Sequence, residues 1–480
     1  MNKNTKIVCT IGPASDEGKV IDQLIRNGMN IARLNFSHGT HAQHATLIKN
    51  IRAASKRTKK PIAILQDLQG PRIRIGVLAE PVKIVRNDKV VLIPESQFED
   101  VLNHSERKFL PVQYEELYKD VKKGSTILID EGFIELTVQR IVGDQIVTKV
   151  ITSGEVKSNK GINTPGLELS ADPLTKKDRE DVRFGVENDV DAIALSFVAS
   201  AEDMATLRKE VQRRVKKGAI PALIAKIERQ SAMDDLEDIV EESDGVMVAR
   251  GDLALETSAA EVPVMQKKII GECARQGKPV IVATQMLDSM IQNPRPTRAE
   301  VSDVSNAVVD HADCVMLSGE TASGEYPVEA VGMMNSIIEE TEASPYDDVS
   351  PVSSHNITWS LADRNAIAEA AVDIAFTEDA AAIVVTSLTG ATVRAVVRLR
   401  PQIPILGLVP NETIQRKLLF SWGVRPIVIG KCENVDGLIK ESTKALAKEK
   451  LTQKGDKVVL VAGQQVGTTG TTNFVQVQEL

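Results

Sequence analysis

The stretch PALIAKIERQSAMDD, residues 221–235, brings a cation and a carboxylate to the end of an apolar run. Lys226 and Glu228 stand two apart, and side chains two apart on a strand point the same way, so both converge on one spot. Alone, the pair reads equally well as an ion pair at a strand end. A second carboxylate, Asp252, closes the next apolar run in MVARGDL. Two carboxylates with no His or Cys cluster suit Mg²⁺ (or Mn²⁺), whose remaining positions go to water and substrate phosphate oxygens. Arg33, in NIARLNF, suits a flat anion held at two points, while Lys226 acts as a point charge. The substrate this chemistry points to is phosphorylated and carboxylated.

These residues need elements to hold them. Short apolar runs occur at 6–12, 30–36, 61–67, 191–198, 222–228, 245–252, 279–285 and 314–320, most of them separated by amphipathic stretches. Strand–helix alternation predicts parallel strands, and eight such units predict a closed (β/α)8 TIM barrel. Chemistry in such barrels sits at the C-terminal strand ends. Those ends carry Arg33, Asn35 and Ser37 on one face of strand two, then Asp67, Lys226 with Glu228, Arg250-Gly251-Asp252, Thr284-Gln285, and Ser318 with Glu320. Six polar ends on one rim argue for a Mg²⁺–phosphate site far better than any single residue does. Gly277 is placed as a helix C-cap, and Thr297 with Glu300 as a capping box.

The rhythm breaks after strand three. Residues 71–165 show alternating strand-like pieces, with turns at Asp130–Gly132 and Gly143–Asp144. They predict an all-β domain, a β-barrel lid, inserted between 1–70 and 166–342 of the catalytic barrel. Without it the barrel has close to the ~250 residues usual for this fold. After a linker, EASPYDDVSPVSSHN, residues 343–480 predict a smaller open α/β domain with strands AAIVVT, IPILGLV, RPIVIG and KVVLVAG.

Composition excludes several functions. Hydrophobic content of 42% and a net charge of −8 describe an ordinary soluble chain with no basic excess for nucleic acid or anionic membrane. Aromatic content of 3% disfavours base stacking. Cys9, Cys273, Cys314 and Cys432 are scattered, which suits a reducing cytoplasm better than zinc or disulfides. The start, MNKNTKIVCTIGP, lacks an apolar export segment, and no run approaches the ~18 apolar residues of a membrane span.

TKIVCTIGPAS, RLNFSHG, AKIER, MVARGDL, ATQMLDSM, PTRAEVSDVSNAV and MLSGETASGEYP, in this order, closely resemble the pyruvate kinase family, over essentially the whole chain. The resemblance implies phosphoryl transfer from phosphoenolpyruvate to ADP, giving pyruvate and ATP. It assigns Lys226 to the transferring phosphoryl group, Glu228 and Asp252 to Mg²⁺, Arg33 to substrate phosphate, and Gly251 to substrate. Thr284 falls near the enolate carbon. Asn35, Ser37, Asp67 and the Leu68 carbonyl match a monovalent-cation pocket. Asn35, His38, Arg74 and Lys160 match nucleotide contacts, and Ser318 and Glu320 stand behind the site.

The chain departs from the family pattern in GDLALE, with Ala254 where glycine is common, and in DLQGPR, with Leu68, Gln69 and Arg72 where many members carry Thr, Lys and Glu. A glutamate at the position of Arg72 accompanies K⁺ dependence in the family, so Arg72 implies that K⁺ is not required. It also lacks the N-terminal extension of animal forms. In TSLTGATVRAV, Ser387, Thr389, Gly390 and Thr392 lie between a strand and a helix, near the Gly/Thr loop VAGQQVGTTGTTN; the resemblance implies a phosphorylated allosteric effector there, and a homotetramer. Two rivals stand beside this reading: a Mg²⁺-dependent, enolate-forming aldolase on a related barrel, and a non-catalytic regulatory homologue.

Overall fold

A computed structural model of the chain describes residues 3–99, 108–167, 172–216, 218–347, 362–430, 432, 434–463 and 472–480. Eight parallel strands close into a barrel: Lys6–Thr10, Met29–Asn35, Ala63–Asp67, Ala192–Leu195, Ala222–Ile227, Gly245–Ala249, Val280–Ala283 and Cys314–Leu317. Seven lie inside a predicted run, and the second, Met29–Asn35, starts one residue before its run at 30–36. The caps hold as well. Gly277 ends helix Val262–Gln276 at φ +67°, and Thr297 with Glu300 forms a complete capping box before Arg298–Val309.

The two faces of every strand have different work. Ala32, Leu34, Ala225 and Ile227 point outward into the core beneath the helices. Val8, Ile31, Leu65, Ala194, Ile224, Met247 and Met316 point inward and pack one another. Two residues further on, the inward face turns polar with Thr10, Arg33, Asp67, Ser196 and Lys226. The apolar layers are thus the floor on which the polar layer stands.

Among the described residues the insertion is built of β-sheets, and these do not close into a barrel. It forms a six-stranded sheet and a separate two-stranded ribbon, Val82–Ile84 with Gly154–Val156. The sheet's two edge strands, Lys108–Val112 and Ile162–Asn163, do not pair with each other. The segment that enters the domain bridges them instead, Ile75 to Val112 and Arg74 to Gly161. Isolated bridges do the joining because this segment is too irregular to run as a strand. Both predicted turns are present, with Asp130, Glu131 and Gly132 at positive φ and Val142 paired with Gln145 across Gly143–Asp144.

The C-terminal domain has the four predicted strands plus a fifth, Thr472–Glu479, antiparallel at the sheet edge. Most of the predicted linker and of the Gly/Thr loop lies outside the described residues. This domain also reaches into the barrel. Leu419 and Phe420 pack with Val8, Ile31, Ala63 and Cys314 at the N-terminal mouth, and the Cys314 Sγ donates to the Phe420 carbonyl at 3.3 Å. Arg400 fixes the docking through the Asp313 carboxylate, 2.9 Å from Nη2, and stacks on the Trp422 ring.

Phe420 is 2% exposed, so Phe420→Ala should cost about 3 kcal/mol or more, as for aromatic core truncations. Urea denaturation followed by tryptophan fluorescence checks this, since Trp422 sits beside the plug. A loss below about 1 kcal/mol would mean that the plug is not part of the barrel's core.

Candidate active site

The centre of the rim is a buried charge cluster. Lys226 Nζ donates to the Ser196 hydroxyl at 2.7 Å, and lies 2.9 Å from Glu228 Oε1 and 3.3 Å from Asp67 Oδ1. Arg33 takes the other Asp67 oxygen, Nη2 to Oδ2 at 2.6 Å, and donates from Nη1 to Thr10 Oγ1 at 2.9 Å. Burial alone would raise the Asp67 carboxyl, but Lys226 and Arg33 outweigh it and hold the group below its ordinary value. Burial alone would lower the Lys226 ammonium, and Asp67 and Glu228 reverse that, so it stays charged.

Glu228 is fully buried. Its Oε2 accepts from the Phe197 backbone N–H at 2.6 Å; its Oε1 takes no hydrogen bond and has the Lys226 ammonium as its counter-charge. Burial and the neighbouring Asp252 raise this carboxyl against the pull of Lys226. Asp252 stands in the first turn of helix Arg250–Glu256, with Arg72 Nη2 4.0 Å from its Oδ1. Among the described residues no group of three His, Cys, Asp or Glu side chains could hold a metal ion. A pair of carboxylate oxygens, one without a hydrogen bond, fits Mg²⁺ that draws its other ligands from water and substrate. The donor set fits.

Thr284 and Gln285 both stand at positive φ, +69° and +54°, and turn the chain sharply after strand seven. Such backbone costs about 1–3 kcal/mol per residue unless its surroundings hold it. Arg250 provides that hold, with Nη2 donating to the Thr284 carbonyl at 2.8 Å and Nη1 to Asp303 at 2.7 Å. The turn aims the Thr284 hydroxyl at Gly251, whose N–H donates to it at 2.8 Å. Glu320 props the same loop from behind, its carboxylate accepting from the Leu287 and Ser318 N–H groups. Neither Ser318 nor Glu320 lines the cavity.

A cavity of about 90 Å³ opens above the cluster, lined by Arg33, Asn35, Ser37, Lys226, Glu228, Asp252 and Thr284, with Gln69 and Arg72 at its side. Asn35 Oδ1 accepts from the Ser37 N–H at 3.1 Å. The Leu68 side chain is buried in the outer core, and its carbonyl already accepts from the Ser196 hydroxyl at 2.7 Å. His38, Arg74 and Lys160 do not line this cavity. Burial, Arg74, Arg72 and Arg33 lower the His38 imidazole, which keeps it neutral. Lys160 pairs with Asp130 at 2.8 Å on the insertion, and Arg74 donates to the Asn159 carbonyl.

Sequence reasoning missed Ser196 and Phe197 at the end of strand four, one a link in the lysine's network and the other at φ +59° with its N–H on Glu228. Ser196, an inward position two past Ala194, was the available signal. Around Gly390 the predicted hydroxyls are already engaged. Ser387 Oγ accepts from the Gly390 N–H, Thr389 Oγ1 from the Ala391 N–H, and Thr392 pairs with Thr472 at 2.8 Å. The helix that follows has only seven residues.

Two profiles of one family match the chain: pyruvate kinase, barrel domain, over residues 2–331, and pyruvate kinase, alpha/beta domain, over residues 365–478. A pyruvate kinase of Clostridium acetobutylicum is 39% identical over 480 residues, 99% of each chain. One from Agrobacterium vitis is 42% identical, covering 100% of this chain and 97% of its own. The crystal structure of a pyruvate kinase from Cryptosporidium parvum superposes with a TM-score of 0.92 at 34% identity, over 99% of this chain and 96% of that one. With both profiles matched and relatives aligned end to end, the chain belongs to the pyruvate kinase family of phosphotransferases.

Proposed function

We propose that this chain transfers the phosphoryl group of phosphoenolpyruvate to ADP, giving pyruvate and ATP. The observation that carries the reading is Lys226, a buried ammonium charged by Asp67 and Glu228 and facing a cavity walled by Arg33, Asp252 and Thr284. Glu228 and Asp252 would hold Mg²⁺, which supplies positive charge to the phosphoryl oxygens when bound. Lys226 and Arg33 neutralise the charge spread over those oxygens as the bond from phosphorus to the enol oxygen breaks and a bond to the terminal ADP oxygen forms. The enolate left behind takes a proton on its terminal carbon and becomes the methyl group of pyruvate, with Thr284 placed beside that carbon. Gly251 leaves its side open to the carboxylate end of the substrate.

His38, Arg74 and Lys160 belong to the nucleotide side of this reading, on the rim and the insertion. Residues 71–165 then act as a lid that excludes water, the competing phosphoryl acceptor. The barrel is assigned to 1–70 with 166–342 and the regulatory domain to 343–480, in a cytoplasmic homotetramer with a phosphorylated effector near Ser387, Thr389, Gly390 and Thr392. No helix of the described residues is long and apolar enough to cross a membrane. A coupled assay of pyruvate formation from phosphoenolpyruvate and ADP separates this reading from the aldolase and from a non-catalytic homologue, neither of which forms pyruvate there.

Lys226→Met should lower kcat by about 10³-fold or more while changing KM for phosphoenolpyruvate far less, because its charge matters chiefly in the transition state. The variant's melting curve checks that the fold survives loss of a buried counter-ion. A kcat within tenfold of wild type would sink the role given to Lys226.

K⁺ should not be required. Arg72 lines the cavity with Asn35 and Ser37 and stands 4.0 Å from Asp252, so the chain brings its own permanent cation to the place. The measurement is the steady-state rate with a bulky organic ammonium as the only monovalent cation, with and without KCl at matched ionic strength. Activation by more than about tenfold, ~1.4 kcal/mol, counts against the idea. Arg72→Glu should make the enzyme respond to K⁺.

A further inference from the structure

The turn that leads Asn35, Ser37 and His38 away from strand two is held from outside the site. Its N–H groups are met locally: Ser37 donates to Asn35 Oδ1 at 3.1 Å, and His38 to the Asn35 carbonyl at 3.3 Å. Gly39, at φ +78°, then lets the chain double back into the helix His41–Thr58. Two carbonyls of the turn, Phe36 and His38, are met by side chains that line no part of the cavity. Lys177 Nζ donates to the Phe36 carbonyl at 2.6 Å, and His44 Nε2 lies 2.9 Å from the His38 carbonyl.

A carbonyl only accepts, so the proton of His44 is on Nε2. The ring is buried and lies flat on Phe36, with centroids 4.0 Å and planes 10° apart. Its Nδ1 has no hydrogen-bond partner among the described residues. An orphaned buried nitrogen costs free energy, so an apolar ring would fill this space better unless the other nitrogen were needed. Burial also holds the imidazole below its ordinary value, which keeps it neutral with a single N–H. Lys177 is placed with equal care. It stands in the helix Lys176–Glu187, 2.6 Å from Asp181 Oδ2, while Asp181 Oδ1 takes His41 Nε2 at 2.6 Å. Both donors thus belong to one packed network around Phe36.

We infer that His44 and Lys177 are positioning residues for the nucleotide: they fix the turn Phe36–Ser37–His38 and with it the approach of His38 to ADP. This rests on the phosphoryl-transfer reading above, which puts His38 on the nucleotide side. The phosphoenolpyruvate side does not depend on them. Arg33 and Lys226 stand on strands and are locked by Asp67, whereas His38 lies past the end of its strand and has only the turn to place it. Loosening the turn therefore separates the two substrates, because one loses its contact and the other keeps a rigid site.

Calorimetry of the full-length enzyme in Mg²⁺, titrated with ADP and separately with phosphoenolpyruvate, tests this. His44→Phe keeps a ring on Phe36 but has no donor. It should weaken ADP binding about tenfold or more and phosphoenolpyruvate binding less than about threefold. Lys177→Met should act in the same direction, and it reads the turn even if His44→Phe unfolds. His44→Gln, whose amide N–H reaches as far as Nε2, should bring ADP binding back to within about threefold of wild type. ADP binding unchanged in either folded variant, an equal loss on both ligands, or failure of His44→Gln to restore binding would each overturn the inference. If the wild-type enzyme binds ADP yet forms no pyruvate, the proposed reaction fails and these titrations still decide the inference. No ADP binding by wild type overturns both.

Discussion

A lysine, an arginine and two carboxylates are buried together at the barrel's rim, and every element around them serves to keep them paired. Taking one such ion out of water costs several kcal/mol, repaid only when opposite charge and hydrogen bonds meet it at close range. Asp67 lies between Arg33 and Lys226, and Lys226 lies between Asp67 and Glu228, so the four charges cancel along a chain of contacts. Asp252 then adds one negative charge beyond this chain of contacts, met only at 4.0 Å by the Arg72 guanidinium. The site is therefore poised for an added cation together with an anionic substrate.

The geometry that holds this cluster comes from alternation. Ile31, Ala63, Ala194 and Ile224 fill the barrel's interior, and the next inward positions on the same strands are Arg33, Leu65, Ser196 and Lys226. A one-residue slip would bury charges under the helices, so the apolar layers fix the register of the polar one. That is why the eight strands and the residues Arg33, Asp67, Lys226 and Glu228 were legible in the sequence. Ser196 and Phe197 were less so. A hydroxyl after an apolar run is unremarkable, and Phe197 acts through its backbone N–H, which no side-chain pattern announces. The plug LLFSWG was illegible for a related reason: Leu418 and Trp422 stay in their own domain's core, while Leu419 and Phe420 complete another's. The edge strand Thr472–Glu479, only partly buried, had too weak an alternation to stand out.

The insertion meets the barrel near the helix Arg250–Glu256. Asn163 donates to Glu256 at 3.1 Å, and Glu256 shares the helix Arg250–Glu256 with Asp252. Gly132, in a hairpin turn, lies against Leu255. The chain thus ties the position of its insertion to the helix carrying a proposed metal ligand, through contacts small enough to remake.

The C-terminal domain's hold on the barrel mouth limits how this chain can be recombined. Leu419 and Phe420 supply the lowest layer of a core that otherwise belongs to the barrel strands, while the sheet they come from is completed elsewhere. Cutting the chain between these domains would leave an unfilled hole in one piece and a greasy knob on the other. A chimera that takes its C-terminal domain from a relative must therefore carry over the barrel's matching floor residues, Val8, Ile31, Ala63 and Cys314, or choose a donor whose knob has the same shape. Exchange between relatives is set by that fit, whatever the sequences of the two sheets.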